Sequence, residues 1–254
     1  MRVLAIVHEA TAGPGVFAAV AAERGDELVE WVPAEAPPPA LDGHAGVLVL
    51  GGSMHPDQED EHPWLRSEKD LIGELLGRRV PLLGVCLGAE LLAEAAGGRS
   101  RRLEEIHIGW SETRLTEAGS ADPVLGGLPE RFVGFQWHSY ACEPPSSGAA
   151  LAGDGSRLDA FRVGDAWGVQ FHAEATSEII LGWLDSHREH EVPTGFDPEA
   201  LRGEIARRIE ASNAVGTALF RGFLEHAGGA GLARPGRVSG RRRRGRRRRG
   251  RSRR

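Results

Sequence analysis

The sequence lacks the features that mark secreted and membrane proteins. Only two cysteines occur in its 254 residues, which excludes a framework of several disulfides. The N-terminal segment MRVLAIV has one arginine and five aliphatic residues before His8, too few for the hydrophobic region of a signal peptide. No run approaches the roughly 18 apolar residues that span a membrane. We therefore expect a cytoplasmic protein with no membrane contact.

Lysine is almost absent, and the basic residues are unevenly distributed. Residues 234–254 hold 13 arginines and no acid, whereas the residues before them have 18 basic and 36 acidic side chains. An Arg/Gly-rich tail cannot form a core, so we expect it to be disordered. It could bind the phosphates of a nucleic acid, but it has no aromatic residue to stack on bases. The alternatives are contact with the acidic body or no function.

Strand and helix patterns alternate through the first hundred residues, as in an open, mainly parallel sheet with helices on both faces. The middle of the chain has short segments separated by turns, which indicate an antiparallel extension of the sheet. Two helices are predicted to follow. The predicted strands are 2–7, 27–32, 46–50, 80–85, 98–103, 106–115, 130–136, 149–153, 159–163 and 166–171, and the predicted helices are 16–24, 64–76, 87–96, 177–187 and 197–226.

One cysteine lies between two glycines where a strand pattern meets a helical one. The segment PLLGVCLGAELL places Cys86 between Gly84 and Gly88. This strand, G-x-C-x-G and helix form the nucleophile-elbow arrangement, in which small flanking residues allow a sharp turn. At the helix N-terminus the dipole would favour the thiolate, and the amide of Leu87 could donate to an oxyanion. The alternative is that Cys86 is a small buried apolar residue.

The best candidate for a base lies far downstream, in AWGVQFHAEAT. An apolar strand predicted at 167–171 ends in His172, and Glu174 follows two residues later. In extended chain, residues i and i+2 point to the same side, so Glu174 could fix one nitrogen of His172 and leave the other for a thiol. The alternative is a surface histidine beside a surface glutamate. A position at the end of an apolar strand, in a chain with an elbow, favours the catalytic interpretation.

These motifs resemble those of a known family. The segments GVCLGAELLAEAAGG, GWSETRLTEAG, DPVLGGLPERF, QWHSY and WGVQFHAE follow the order seen in class I glutamine amidotransferases. They are most similar to stand-alone proteins like the amidotransferase domain of GMP synthase, over about residues 1–226. The resemblance implies a flavodoxin-like α/β three-layer sandwich with a mainly parallel sheet and an antiparallel extension. We expect a catalytic domain at 1–190, a C-terminal helix packed on it at 191–227 and a disordered tail at 228–254.

The resemblance also implies roles for individual residues. Cys86 would attack the γ-amide of glutamine or of a γ-glutamyl compound and form a γ-glutamyl thioester, with His172 as base and then acid and Glu174 orienting it. No cofactor or metal is implied. The amides of Gly52 and Leu87 would form the oxyanion hole. Ser139 and Tyr140 would hold the amino-acid end of the substrate.

Three departures from the family pattern bear on the substrate. Glu90 stands where the family usually has a substrate-holding glutamine, and an ionised carboxylate cannot donate hydrogen bonds, so a strict preference for glutamine is not implied. Ala173 replaces a proline that only stiffens the turn. No synthetase domain accompanies these residues, so a partner would consume the ammonia, or the enzyme would hydrolyse γ-glutamyl compounds by itself.

Other candidate residues are weaker. The loop HPDQEDEH sets His55 and His62 around four acids but lacks a compact metal-ligand spacing, and we expect a solvated loop at the mouth of the site. His138 would contact substrate or make a structural hydrogen bond, and Cys142 would be inert.

The leading hypothesis is a cysteine-dependent glutamine amidotransferase or γ-glutamyl hydrolase. Its rivals are a γ-glutamyl peptidase without a synthetase partner, and a non-catalytic regulatory module that docks on nucleic acid through the arginine tail.

Overall fold

A mixed sheet with helices on both faces forms the centre of the molecule. The computed structural model describes residues 1–186 and 192–231. The strands are β1 (Arg2–Ile6), β2 (Glu27–Trp31), β3 (Gly46–Val49), β4 (Leu82–Val85), β5 (Arg99–Leu115), β6 (Arg131–Glu143), β7 (Ala149–Gly153), β8 (Leu158–Val163) and β9 (Ala166–Val169). The helices are α1 (Gly15–Arg24), α2 (Trp64–Arg78), α3 (Leu87–Ala95), α4 (Glu117–Ser120), α5 (Ser177–Ser186) and α6 (Pro198–Gly231).

The sheet has a parallel half and an antiparallel half. Its strand order is β2-β1-β3-β4-β9-β8-β7-β5-β6. The pairs from β2 to β9 are parallel, and those from β9 to β6 are antiparallel. The parallel strands β1, β3, β4 and β9 are almost wholly buried, as expected of strands covered on both faces. The carboxyl ends of these strands therefore meet at one edge, where ligands bind in open α/β sheets.

Three apolar clusters fill the layers. One joins the sheet to α1 and α6 and contains Phe17 and Phe220, whose rings stack. A second joins the opposite face to α2 and α3. A third, around Phe135, joins the antiparallel half to α5 and α6. The structure thus confirms the flavodoxin-like three-layer sandwich with a mainly parallel centre and an antiparallel extension.

The antiparallel half differs from the sequence expectation in its strand lengths. The strands expected at 98–103 and 106–115 are one strand, β5, with an irregularity between Arg102 and His107. The strand expected at 130–136 continues to Glu143, because β5 offers it a partner along its whole length. The segment HSY consequently lies inside β6, beyond the expected end of that strand.

The C-terminal region is described only in part. Helix α6 continues to Gly231, five residues past the expected end at His226. The arginine-rich segment lies outside the described residues, so its disorder and its nucleic-acid binding stay predictions. Among the described residues, no helix is long and apolar enough to cross a membrane.

Candidate active site

Cys86 lies at the sharp turn between β4 and α3. Its backbone has φ 50° and ψ −110°, a conformation that residues with a side chain rarely adopt. Its N–H donates to the carbonyl of Val169 on the neighbouring strand β9, at 2.8 Å. A strained cysteine held at a strand-to-helix junction has the geometry of a nucleophile elbow.

The glycines on both sides of Cys86 are required by close backbone packing. A Cβ added to Gly84 would lie 2.5 Å from the carbonyl oxygen of Gly88. A Cβ added to Gly88 would lie 2.2 Å from the carbonyl oxygen of Val49, at the end of β3. Neither distance is compatible with a side chain, so the G-x-C-x-G pattern has the steric origin that the sequence indicated.

His172 and Glu174 form a buried pair. Nδ1 of His172 lies 2.8 Å from Oε1 of Glu174, and both side chains are almost fully buried. The sequence predicted extended chain here, and this was wrong: β9 ends at Val169, and the N–H of Ala173 donates to the carbonyl of Phe171 in a tight turn. The pair forms across this turn, and the Glu174 carbonyl accepts the N–H of Val16 at the start of α1.

The thiol of Cys86 and the imidazole of His172 are neighbours, and each shifts the pKa of the other. Both also face the carbonyl oxygen of Trp137, which lies 3.7 Å from Sγ and 3.4 Å from Nε2 of His172. The indole of Trp183 packs edge-on against the imidazole, with 4.6 Å between ring centroids. Cys86, His172 and Glu174 thus follow one another as thiol, imidazole and carboxylate, an order that allows a proton to leave the thiol.

Burial has a large effect on the pKa values of Cys86 and His172. Burial raises the pKa of the Cys86 thiol, and the adjacent imidazole offsets this only in part. The expected preference for thiolate at the helix N-terminus is therefore reversed by desolvation. Burial alone would lower the pKa of His172, but the charges of the Glu174 carboxylate and of Cys86 in its thiolate form raise it well above its usual range. Transfer of the thiol proton requires the neutral form of His172, and the raised pKa shows how strongly Glu174 and a thiolate at Cys86 favour the imidazolium that results.

A polar cavity of about 550 Å3 opens over Cys86. Gly52 and Leu87 line it. Among the residues that the structure describes, neither of their backbone N–H groups donates to another protein atom. A Cβ on Gly51 would lie 3.0 Å from Cε1 of His172 and 3.5 Å from Cβ of Cys86, so the Gly51–Gly52 segment closes directly on the dyad. Two free amide donors beside a thiol are the components of an oxyanion hole.

Glu90 is buried in the wall of the cavity, one turn of α3 after Cys86. Its Oε1 accepts a hydrogen bond of 2.9 Å from Nε2 of Gln170. Burial raises its pKa to about 7, and the Glu94 and Asp57 carboxylates add to the shift, while Gln170 and His172 oppose it. Near neutral pH this carboxyl therefore exists in both forms, and only the protonated form can donate.

Strand β6 supplies the opposite wall. Trp137, His138, Ser139 and Tyr140 line the cavity. The Tyr140 hydroxyl donates to Oδ2 of Asp57 at 2.7 Å, which ties the 55–62 loop to the sheet. Burial lowers the pKa of His138 to about 3, although the hydrogen bond of its Nδ1 to the Tyr140 carbonyl, at 2.6 Å, opposes the shift. His138 is thus neutral and has the structural hydrogen bond foreseen as one of its two roles.

The acidic 55–62 loop lines the cavity and is stabilised by contacts of its own residues. The N–H of His55 donates to Oε1 of Gln58, and His62 packs against Trp64. No group of three or more histidines, cysteines or acids that could hold a metal occurs in residues 1–186 and 192–231. Cys142, the second cysteine, is buried and donates to Oε1 of Gln170, and burial raises its pKa well above the usual range.

Sequence reasoning missed two residues next to the site. His8, just past the end of β1, contacts the Gly51 carbonyl and the carboxylate of Glu68 on α2. The position of His8 at the carboxyl end of a parallel strand was a usable signal. The pairing with Glu68, sixty residues away, was not visible from the sequence.

Comparisons with known proteins agree with this fold. The model of the family described as glutamine amidotransferase class-I matches residues 20–179. The glutamine amidotransferase-like protein YfeJ of Salmonella typhimurium is 30% identical over 233 residues, which are 89% of this chain and 96% of YfeJ. The glutamine-hydrolysing GMP synthase of Aeropyrum pernix is 28% identical over 87% of this chain and 44% of its own length. A solved glutamine amidotransferase from Thermotoga maritima has a TM-score of 0.78 at 26% identity, with 89% of this chain and 97% of that chain covered.

Proposed function

The chain belongs to the class-I glutamine amidotransferase family, and on this premise we propose that it hydrolyses the γ-amide of glutamine or of a γ-glutamyl compound through Cys86, His172 and Glu174. One observation carries the proposal: a cysteine at a strained elbow contacts an imidazole whose other nitrogen lies 2.8 Å from a buried carboxylate. This is the nucleophile, base and orienting group of acyl transfer.

Acylation begins when Sγ of Cys86 attacks the γ-carbonyl carbon and the thiol proton passes to Nε2 of His172. The carbonyl oxygen becomes an oxyanion that accepts hydrogen bonds from the N–H groups of Leu87 and Gly52. Glu174 stabilises the imidazolium while it exists. The imidazolium then gives its proton to the leaving nitrogen, the C–N bond breaks, and ammonia or an amine departs from a γ-glutamyl thioester.

Deacylation repeats these transfers with water. His172 takes a proton from a water molecule, whose oxygen attacks the thioester carbon. The oxyanion again lies between the two backbone donors, and collapse breaks the C–S bond. The proton held by His172 returns to sulfur, so glutamate leaves and the thiol is regenerated.

A specific observation favours substrates other than free glutamine. Glu90 places a carboxyl, and not an amide, in the cavity wall. Its pKa is about 7, so above that pH the carboxyl is mostly ionised and can only accept hydrogen bonds. The cavity of about 550 Å3 is also larger than free glutamine requires, because pockets of that size hold larger ligands. A γ-glutamyl peptide or amine is therefore the second candidate substrate.

The fate of ammonia distinguishes the two candidates. A synthetase partner that consumes ammonia belongs with glutamine as substrate, and one relative is named as a glutamine-hydrolysing GMP synthase. A γ-glutamyl peptide or amine as substrate needs no such partner.

The test is glutamate release by the full chain from glutamine and from a panel of γ-glutamyl peptides and amines. We expect release that is lost in Cys86→Ala and kept in Cys142→Ala, a matched control at the other buried cysteine. Preference for glutamine identifies the amidotransferase activity, and preference for another γ-glutamyl compound identifies the peptidase activity. If no compound yields glutamate and a glutamine-like chloroketone also fails to label Cys86, the proposal is wrong.

A further inference from the structure

His8 and Glu68 form a buried ion pair behind the cavity that the proposed reaction does not use. Both oxygens of Glu68 lie 3.0 Å from Nε2 of His8, and both side chains are fully buried. The imidazole stacks on Trp64, with 5.3 Å between ring centroids. Placing a charged pair in an apolar layer is costly, so such a pair calls for an explanation beyond packing.

The other nitrogen of His8 contacts the glycine loop. Its Nδ1 lies 3.0 Å from the carbonyl oxygen of Gly51. A carbonyl and a carboxylate are both acceptors, so His8 satisfies both contacts only when each of its nitrogens carries a proton. Burial by itself would lower the pKa of His8, but Glu68, the two hydrogen bonds and nearby Glu9 raise it above the ordinary value.

The Gly51 carbonyl belongs to the same peptide unit as the Gly52 N–H. In a trans peptide these two groups point in opposite directions. Because His8 holds the carbonyl on its own side, the N–H points away from His8. Gly52 lines the cavity above Cys86, and the Cα of Gly51 closes on the dyad. The hydrogen bond to His8 therefore fixes the direction of the proposed oxyanion donor.

A second contact restrains the same loop one residue later. The N–H of Ser53 donates to Oε1 of Glu9 at 2.9 Å, and its hydroxyl donates to Oε2 at 3.0 Å. His8 and Glu9 are consecutive residues after β1. They therefore bind the loop on both sides of Gly52, at Gly51 and at Ser53. A glycine pair has wide rotational freedom, and two such restraints remove much of it.

We infer that His8, held by Glu68, is a positioning residue that sets the Gly51–Gly52 peptide with its N–H facing the oxyanion, so that the donor is in place before substrate binds. The inference rests on the proposed function, because it assigns a role in the same reaction. His8 touches no reacting atom and acts through the peptide. A preset donor costs no reorganisation at the moment of reaction.

Two substitutions at His8 separate its two contacts. The amide nitrogen of asparagine is two bonds beyond Cβ, like Nδ1, and that of glutamine is three bonds beyond, like Nε2. His8→Asn keeps a donor for the Gly51 carbonyl, whereas His8→Gln keeps one for Glu68. We expect His8→Gln to lower kcat by about 100-fold, the usual effect of losing one oxyanion donor. We expect His8→Asn to lose about fivefold or less, with KM little changed in both.

Two probes of Cys86 distinguish positioning from structural damage. A glutamine-like aldehyde forms a hemithioacetal whose oxygen needs the oxyanion hole, whereas iodoacetamide alkylates sulfur at a saturated carbon and does not need it. We expect His8→Gln to bind the aldehyde about 100-fold more weakly while its rate of alkylation matches the wild type. Equal losses in the two variants, or a parallel loss of alkylation, would overturn the inference.

The wild type provides the remaining controls. If it fails to bind the aldehyde, the proposed function fails, and the role of His8 falls with it for a separate reason. If His8→Gln does not fold, 15N-histidine NMR of the wild type gives an independent answer. We expect both ring nitrogens of His8 to be protonated at neutral pH, and an Nδ1 without a proton would contradict the inference, because it could not donate to Gly51.

Discussion

The two halves of the sheet divide the work of the site. The parallel half supplies the groups proposed to react: Cys86 follows β4, the Gly51–Gly52 loop follows β3, and His172 follows β9. The antiparallel half supplies a wall, residues 137–140 of β6. Parallel strands bring their carboxyl ends to one edge, so residues distant in sequence converge there. Changes in the parallel half should therefore act on kcat, and changes in the wall on KM.

The largest effect is expected at Glu174, in the parallel half. Glu174→Gln leaves a group of the same size beside His172 but cannot stabilise an imidazolium. We expect kcat to fall by about 10^3- to 10^4-fold with KM little changed, as for the loss of the orienting carboxylate in related triads. Steady-state kinetics on the preferred substrate measures this, and a loss of less than about tenfold would remove Glu174 from the triad.

Packing at the elbow comes next. In Gly88→Ala the new Cβ would lie 2.2 Å from the Val49 carbonyl, so β3 or α3 must shift. We expect the free energy of unfolding to fall by about 3 kcal/mol. The matched control is Gly73→Ala in α2, where a Cβ meets no atom within 4 Å. That variant should gain up to about 1 kcal/mol from helix propensity.

Urea denaturation of the two variants compares them directly. Equal stability in Gly88→Ala and Gly73→Ala would show that the elbow is not tightly packed.

Sequence alone predicted the reacting half better than the wall. The elbow could be predicted because GVCLG combines a local steric requirement with a change from strand to helix. All the residues involved lie within one segment of five residues. The pairing of His172 with Glu174 was also local, although the turn that forms it was not foreseen. The length of β6 could not be predicted, because polar residues beyond its expected end, such as His138 and Glu143, are held in the strand by pairing with β5, a contact of distant residues.

Glu90 stands between the two halves and should respond to pH. Its pKa of about 7 in the folded chain exceeds the ordinary 4.5, so the unfolded state releases this proton at lower pH than the native state does. Its contribution to the free energy of unfolding therefore falls as pH rises from about 4.5 to 7, by about 3 kcal/mol in all, and is then constant.

Glu90→Gln removes this dependence and keeps an acceptor for Gln170. We expect the variant to gain stability over the wild type as pH rises from 5 to 8, measured by urea denaturation at both values. Its kcat/KM for glutamine should increase at pH 8, because an amide can donate where the carboxylate cannot. An unchanged stability difference between the two pH values would show that Glu90 titrates normally.

The smallest effect is expected in the wall. Tyr140→Phe removes the hydrogen bond to Asp57 and loosens the 55–62 loop, which the contact between Ser139 and His55 still joins to β6. We expect KM to rise about fivefold, equivalent to about 1 kcal/mol, with kcat unchanged. A fall in kcat as large as that of Glu174→Gln would contradict the division between the reacting edge and the wall.

The most direct test of the central claim is to identify the acylated residue. The full chain is mixed with its preferred γ-glutamyl substrate, quenched in acid during turnover, digested and analysed by mass spectrometry. We predict a γ-glutamyl group on Cys86 of the wild type that is absent from Cys86→Ala and from His172→Gln, because acylation needs the base. Glutamate release that continues in Cys86→Ala, with no adduct on the wild-type cysteine, would contradict the thioester mechanism.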